Sequence, residues 1–254
     1  MKTILLTVLL MTSALFASAQ IPPAFGPKEK LTYEIYYAFV TGAKMSLETR
    51  AITYEGKQIM HVKAFGKTVG LVDKIYKISE DYQSWMDPNN KCLPYKSLED
   101  VHEGSSYNRK ITVTFDHENN TINSTKSGEH KVKANCYDIV SAAYYLRTMD
   151  LSKLYKGQVI SVNTWFGNEE WPLQVKYVET ETLKMGKLGK IKCYKFVPVV
   201  EVSGVFTDKD ALKLWISADD NKIPIRAQMS LLVGSAKVDL ISYENLANPT
   251  GFEK

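Results

Sequence analysis

From Leu31 onward the chain alternates. Leu31, Tyr33, Ile35, Tyr37 and Phe39 are separated by Thr32, Glu34, Tyr36 and Ala38, and a period of two over that length marks a strand buried on one face. Thr41-Gly42-Ala43 reads as a turn, Met45, Leu47, Thr49 and Ala51 alternate back, and Glu55-Gly56-Lys57 turns the chain into a third strand at 58–65. The pattern repeats downstream. Residues 74–86 read as one long β stretch, the polar run 87–91 as a turn, and Ile111, Val113 and Phe115 as a strand that pairs across the loop 116–120. Further on, 159–166 turns through Gly167-Asn168 into Leu173, Val175 and Tyr177. Pro198 implies an edge or bulge in the strand at 191–200, and 202–210 reads as an exposed loop. Three more alternating runs centre on Leu214, Ile225 and Val238, and the tail 248–254 is expected to fray. Short turns between successive strands favour antiparallel pairing. The expected fold class is all-β: a curved or barrel-like antiparallel sheet made from two β-meander halves, with one central α-helix. A pair of immunoglobulin-like sandwiches is the alternative.

One stretch breaks the alternation. Ile139, Ala142, Ala143 and Leu146 fall at i, i+3, i+4 and i+7, which lines them along one side of a helix expected at 136–148. Asn135 suits its N-cap, and Asp138 and Arg147 suit the two ends of its dipole. That apolar side is expected to face the sheet, leaving Asp138, Ser141, Tyr145 and Thr148 on an outer stripe toward water or a cavity mouth. As a lid the helix would make Asp138, Ser141 and Tyr145 binding residues; as a plug it would only cover apolar sheet.

The first residues set the compartment. Met1-Lys2-Thr3, an apolar run from Ile4 to Phe16 and the small Ala17-Ser18-Ala19 have the pattern of a secretory leader at 1–19. Residues 20–254 then form a single β-rich domain, exported to the periplasm or secreted, with halves at about 28–130 and 158–245 on either side of the helix. No other run is long and apolar enough for a membrane span. The net charge is +4, or +3 once Lys2 leaves with the leader, and the lysines are scattered singly. Nucleic acid is therefore a poor partner. Cys92, Cys136 and Cys193 lack any metal-type spacing. They are either three buried thiols or one disulfide with one left over.

Two hairpins look alike. Trp85 precedes a polar turn and Pro94, and Trp215 precedes a polar turn and Pro224, with equal spacing. This suggests a duplicated meander whose two Trp rings point inward.

Chemistry is sparse. The sequence has no nucleophile elbow, zinc-protease motif, phosphate loop or dinucleotide fingerprint, so it names no catalytic residue, metal ligand or cofactor. His61, His102 and Glu103 lack ligand spacing, and Glu34, Asp81, Asp87 and Glu103 offer no selected carboxylate pair. The positive lean is aromatic: fifteen Tyr with Trp85, Trp165, Trp171 and Trp215 suit lipid or sugar recognition as well as a β core.

Residues 26–35, the helix segment 137–147, Leu214-Trp215-Ile216-Ser217 and Ile223-Pro224-Ile225-Arg226 resemble the DUF3108 family of exported bacterial proteins of unknown function. The resemblance implies an exported β-rich domain and brings no catalytic residue. The expected function is a periplasmic binding or accessory protein of envelope biogenesis, holding an apolar or glycolipid ligand in the curve of the sheet or meeting an envelope protein. A carboxylate-dependent hydrolase and a structural partner in an envelope assembly are the alternatives.

Overall fold

Two-residue turns set the path of the chain. Glu55 and Gly56 both take positive φ, 47° and 77°, as do Gly167 and Asn168 at 63° and 73°, and such pairs match the twist of the strands they join. In the computed structural model, residues 23–37, 40–199, 212–230 and 235–254 are described. The leader at 1–19, Ala38, Phe39 and the loop at 202–210 lie outside the described residues.

The first half comprises β1 (Lys30–Tyr37), β2 (Val40–Tyr54), β3 (Lys57–Thr68), a short helix α1 (Gly70–Ile75), and then β4 (Ile78–Asp87), β5 (Leu93–Glu103), β6 (Tyr107–Asp116), β7 (Thr121–Ser124) and β8 (Gly128–Lys131). Helix α2 (Ile139–Thr148) follows. The second half comprises β9 (Val159–Phe166), β10 (Glu169–Lys184), β11 (Lys190–Pro198), β12 (Leu212–Ser217), β13 (Pro224–Ser230) and β14 (Ser235–Glu244). All fourteen strands form one sheet in the order 8-7-6-5-4-3-2-1-14-13-12-11-10-9. Every neighbouring pair is antiparallel. Each half is thus an unbroken meander, and the two join where β1 pairs with β14.

Bulges curl this sheet. The register shifts leave an extra residue in β2, β5, β10, β13 and β14, and each adds local twist and bend. One of them corrects the turn expected at Thr41-Gly42-Ala43: these residues lie within β2, and the shift opposite Ile35 and Tyr36 leaves Gly42 as the extra residue. The curl brings the two ends of the sheet together. Ser124 and Ser127 donate to Asn168 Oδ1 at 3.2 and 2.7 Å, and Trp165 of β9 packs with Ile111, Val113, Phe115 and Ile122 of β6 and β7. The result is barrel-like, with α2 against the strands. Helix α1 was unforeseen, since 74–86 reads as one strand; the helix ends at Ile75 and β4 begins at Ile78.

The two Trp hairpins share their register. Trp85 faces Lys96 and, after a bulge, Met86 faces Pro94; Trp215 faces Arg226 and, after a bulge, Ile216 faces Pro224. Neither ring faces α2, and the inward placement expected of both holds for Trp215, which lies in a buried core cluster, but not for the half-buried Trp85. Ser84 bonds to α2 and Leu214 lines the space beside it, so the alternating Trp85 and Trp215 turn to the opposite face. Trp85 is half-buried there, stacked on His61 at 4.6 Å. Trp215 is buried in a cluster onto which Leu188 and the tail residues Leu246 and Phe252 pack.

The tail is pinned instead of frayed. Lys190 and Glu253 exchange backbone hydrogen bonds of 2.7 and 2.9 Å, and Asn248 bonds to Asn221 and to the Pro23 carbonyl. The fit demands glycine at 189, where φ is 86° and a Cβ would stand 2.1 Å from the Glu253 carbonyl oxygen. Cys92, Cys136 and Cys193 are all buried free thiols, and burial raises each pKa to about 12.

Candidate functional site

Helix α2 begins three residues later than its sequence suggests. The backbone of Tyr137 lies extended beside β9, accepting from Trp165 and donating to Asn163 at 2.7 and 2.9 Å, so a helical turn cannot start at Cys136. Asp138 is the N-cap. Its Oδ1 accepts from the Val140 and Ser141 amides at 2.8 and 3.0 Å, and the Ser141 hydroxyl returns to the Asp138 amide at 3.1 Å, closing a capping box.

The orientation of the helix corrects the expected stripes. Asp138 and Ser141 are buried, and Asp138 Oδ2 accepts from Ser84 of β4 at 2.6 Å. Burial pushes the Asp138 pKa up, against the pull of the Ser84 and Ser141 hydrogen bonds. Ala143, expected inside, is exposed, while Ile139 and Leu146 are half-buried. The one-stripe rule assumes a helix on one side of a flat layer; here the sheet curls around α2, so small polar groups reach strand hydroxyls on one flank and apolar groups face a gap on the other. Among the proposed binding residues, Tyr145 alone borders a hollow, a polar one of about 160 Å³ with Asn135, Asn163 and Ser161 around it. Its ring stacks on Tyr137 at 5.0 Å.

Arg147 is no solvent-facing dipole partner. It is 3% exposed, and its guanidinium grips both Glu29 oxygens at 2.7 Å while donating to the Ala24 and Asn221 carbonyls. Burial opposes its charge, but the Glu29 carboxylate prevails and holds its pKa above the ordinary arginine value. Tyr144 donates to the same carboxylate at 3.3 Å. This network ties together the N-terminal segment, α2 and the turn before β13, and no sequence pattern singles out Glu29.

Between α2 and the second half lies a cavity of about 270 Å³. Ile139, Ala143 and Leu146 form its helix side; Ile160, Leu173, Val175, Phe196, Leu214 and Ile216 form its sheet side, with Leu151, Pro224 and Arg147 at the end of the helix. Every wall residue but Arg147 is apolar. The volume lies just under the usual range for small-molecule pockets, roughly 300–1,000 Å³, and the lining has their typical character.

The carboxylates do not converge there. A larger hollow of about 500 Å³ on the opposite face contains Glu34 and Asp239, but Arg226 clamps Asp239 and Lys44 pairs with Glu34 at 3.3 Å. Asp81 is held by Lys63 at 2.8 Å, and Asp87 caps its own turn through the Asn89 amide. His61 bonds Gln83 and His102 pairs with Asp100; no cluster of three metal-ligating side chains occurs among the described residues.

A curled antiparallel sheet around one capped helix, with an apolar hollow along that helix, defines a barrel-like β protein. The chain belongs to the DUF3108 family, proteins of unknown function, whose pattern matches residues 32–241. Its architecture is similar to that of a β-barrel-like protein of the DUF1849 family from Brucella abortus, with a TM-score of 0.56 at 8% identity over 86% of this chain and 97% of that one. A DUF1089-family protein from Pseudomonas aeruginosa matches more loosely, with a TM-score of 0.42 at 10% identity over 74% of this chain and 90% of that one. No curated protein matches in sequence. No helix among the described residues is long and apolar enough to cross a membrane.

Proposed function

We propose that this is an exported binding or accessory protein of the cell envelope that holds an apolar molecule, or the apolar part of a glycolipid, in the cavity beside α2. The observation that carries the reading is the wall of that cavity: eleven apolar residues and one arginine already neutralised by Glu29. Such a wall favours a hydrocarbon chain over a polar substrate, because transfer of apolar surface from water supplies about 25 cal/mol per Å². The leader-like residues 1–19 support the envelope assignment.

The test is native mass spectrometry of protein purified from its own periplasm, followed by binding of a hydrophobic fluorescent probe to delipidated protein. A retained lipid, or probe binding that Ala143→Phe abolishes by filling the cavity, supports the reading. Protein recovered from the cytoplasm would remove the envelope assignment. Ligand-free protein that leaves the probe unbound would remove the cavity reading.

A further inference from the structure

The strongly exposed apolar side chains are not spread over the surface. Because every strand pair is antiparallel, the connections after β1, β3, β5, β7, β9, β11 and β13 all lie at one end of the barrel. At that end Tyr37 and Val40 flank the first connection, α1 brings Leu71 and Ile75 into the second, and Tyr107 follows the third. Phe166 and Trp171 flank the turn after β9, and Val199 ends β11. Among the described residues only Tyr155 and Val159, before and at the start of β9, stand away from it.

Helix α1 is the centre of this patch. Val72 rests on β2, where a Cβ on Gly42 would stand 3.5 Å from Val72 Cγ2. Leu71 and Ile75 are 68% and 76% exposed and add nothing to the core. Tyr76 carries the patch to the next connection, since its ring lies against Gly104, whose amide donates to the Lys77 carbonyl at 2.8 Å. Lysines that are scattered in sequence also gather here. Lys67 and Lys77 line a hollow of about 370 Å³ beside α1, and Lys74 sits in the last turn of the helix. All three are exposed, and none has an ion-pair partner among the described residues. Asp73, the acid of that hollow, accepts from the Thr68 hydroxyl at 2.9 Å.

We infer that this end of the barrel docks on an anionic lipid bilayer, with Leu71, Ile75, Tyr76 and Tyr107 entering the interface and Lys67, Lys74 and Lys77 meeting the phosphates. Charge and shape both select that occupant. Unpaired lysines around apolar tips complement a negative leaflet, and aromatic rings with polar tips settle at head-group level. The tips belong to separate turns. Fluid lipid accepts such tips one by one, whereas a folded partner needs about 800 Å² of continuous complementary surface on each side. The inference does not depend on what the cavity holds.

The test is sedimentation of the mature protein with phosphatidylcholine vesicles, with and without phosphatidylglycerol. Wild type should bind the anionic vesicles and lose on the order of tenfold in affinity without phosphatidylglycerol. Leu71→Ser with Ile75→Ser should weaken anionic binding by at least about tenfold, as should Lys74→Gln with Lys77→Gln. Both variants should melt as wild type does, because the altered side chains are exposed. Tyr155→Ser, away from that end, should bind as wild type. Wild type that ignores both vesicles, binding indifferent to phosphatidylglycerol, or binding that survives Leu71→Ser with Ile75→Ser overturns the inference. A loss in Tyr155→Ser as large as in that variant does the same. Absence of vesicle binding, together with self-association in ultracentrifugation that Leu71→Ser with Ile75→Ser abolishes, overturns it in favour of a second copy of this chain.

Discussion

Toward β3, β4 and β5, helix α2 presents Val140 and Tyr144 against Met60, Val62, Met86 and Cys92, with the Asp138 cap bonded to Ser84. Toward β10, β11 and β12, the same ten residues border a hollow walled by Leu173, Phe196 and Leu214, with Ala143 exposed to it and Leu146 packed along its edge against Ile160, Val175 and Phe196. One flank is filled and hydrogen-bonded; the other is apolar and open. The difference identifies the flank that positions the helix. The filled flank fixes where the helix sits, because buried polar groups tolerate only an arrangement that satisfies them. The open flank is packed less closely and makes fewer dispersion contacts.

Substitutions sharpen or break this contrast. The largest effect is expected at Arg147, which anchors the filled side. Arg147→Met strands the buried Glu29 carboxylate, and denaturant titration should show a loss of about 3–5 kcal/mol. Leu146→Ala, by contrast, should stay below about 2 kcal/mol because part of that side chain already faces the cavity. Equal losses would erase the distinction between the flanks.

Two adjacent alanines give the next test. Ala142 is fully buried beside Leu93 and Val162, whereas Ala143 borders the cavity. Ala142→Leu should destabilise by about 1–3 kcal/mol through overpacking, and Ala143→Leu should remain within about 0.5 kcal/mol of wild type. A loss at position 143 as large as that at 142 would mean that the cavity is closed in solution.

The smallest effect concerns the Asp138 cap. Burial sets its folded pKa above the unfolded value of about 3.9, so the folded state binds more protons. Stability from this group is fully present below that unfolded value and is lost as pH rises through the folded pKa. Asp138→Asn keeps a cap acceptor without the charge. Its stability relative to wild type should therefore improve from about pH 4 to neutrality, as followed by thermal melts at each pH. A difference that stays constant, or moves toward wild type, would show that the four hydrogen bonds on the carboxylate outweigh its burial.

The strands are legible because alternation is a local signal: Leu31 and Tyr33 of β1 are buried as their spacing requires, and Glu55-Gly56 and Gly167-Asn168 turn where they stand. The helix is half legible. Its existence follows from its periodicity, but its start depends on Tyr137 being held to β9, and its facing depends on a sheet that curls around it. The cavity is not legible at all. Ala143, Phe196, Leu214 and Pro224 come from separate elements, and nothing in their sequence neighbourhoods records that the space between them is left unfilled. The Glu29–Arg147 pair spans 118 positions and follows no periodicity.

The seam between β1 and β14 also carries a consequence for how the molecule is made. Within each half every strand pairs with its sequence neighbour, but Lys30 pairs with Glu244 and Tyr37 with Ala236, so the sheet becomes continuous only after almost the whole chain has been synthesised. Hairpins of each meander can form early, while the closing step must gather ends that are far apart along the chain, and such non-local pairing is slow. Until then β1 and β13 each expose a bare strand edge, the template on which edge-to-edge association begins. Loss of β14 would make that transient state permanent, leaving two meanders tied through the Arg147 network with their facing edges unpaired.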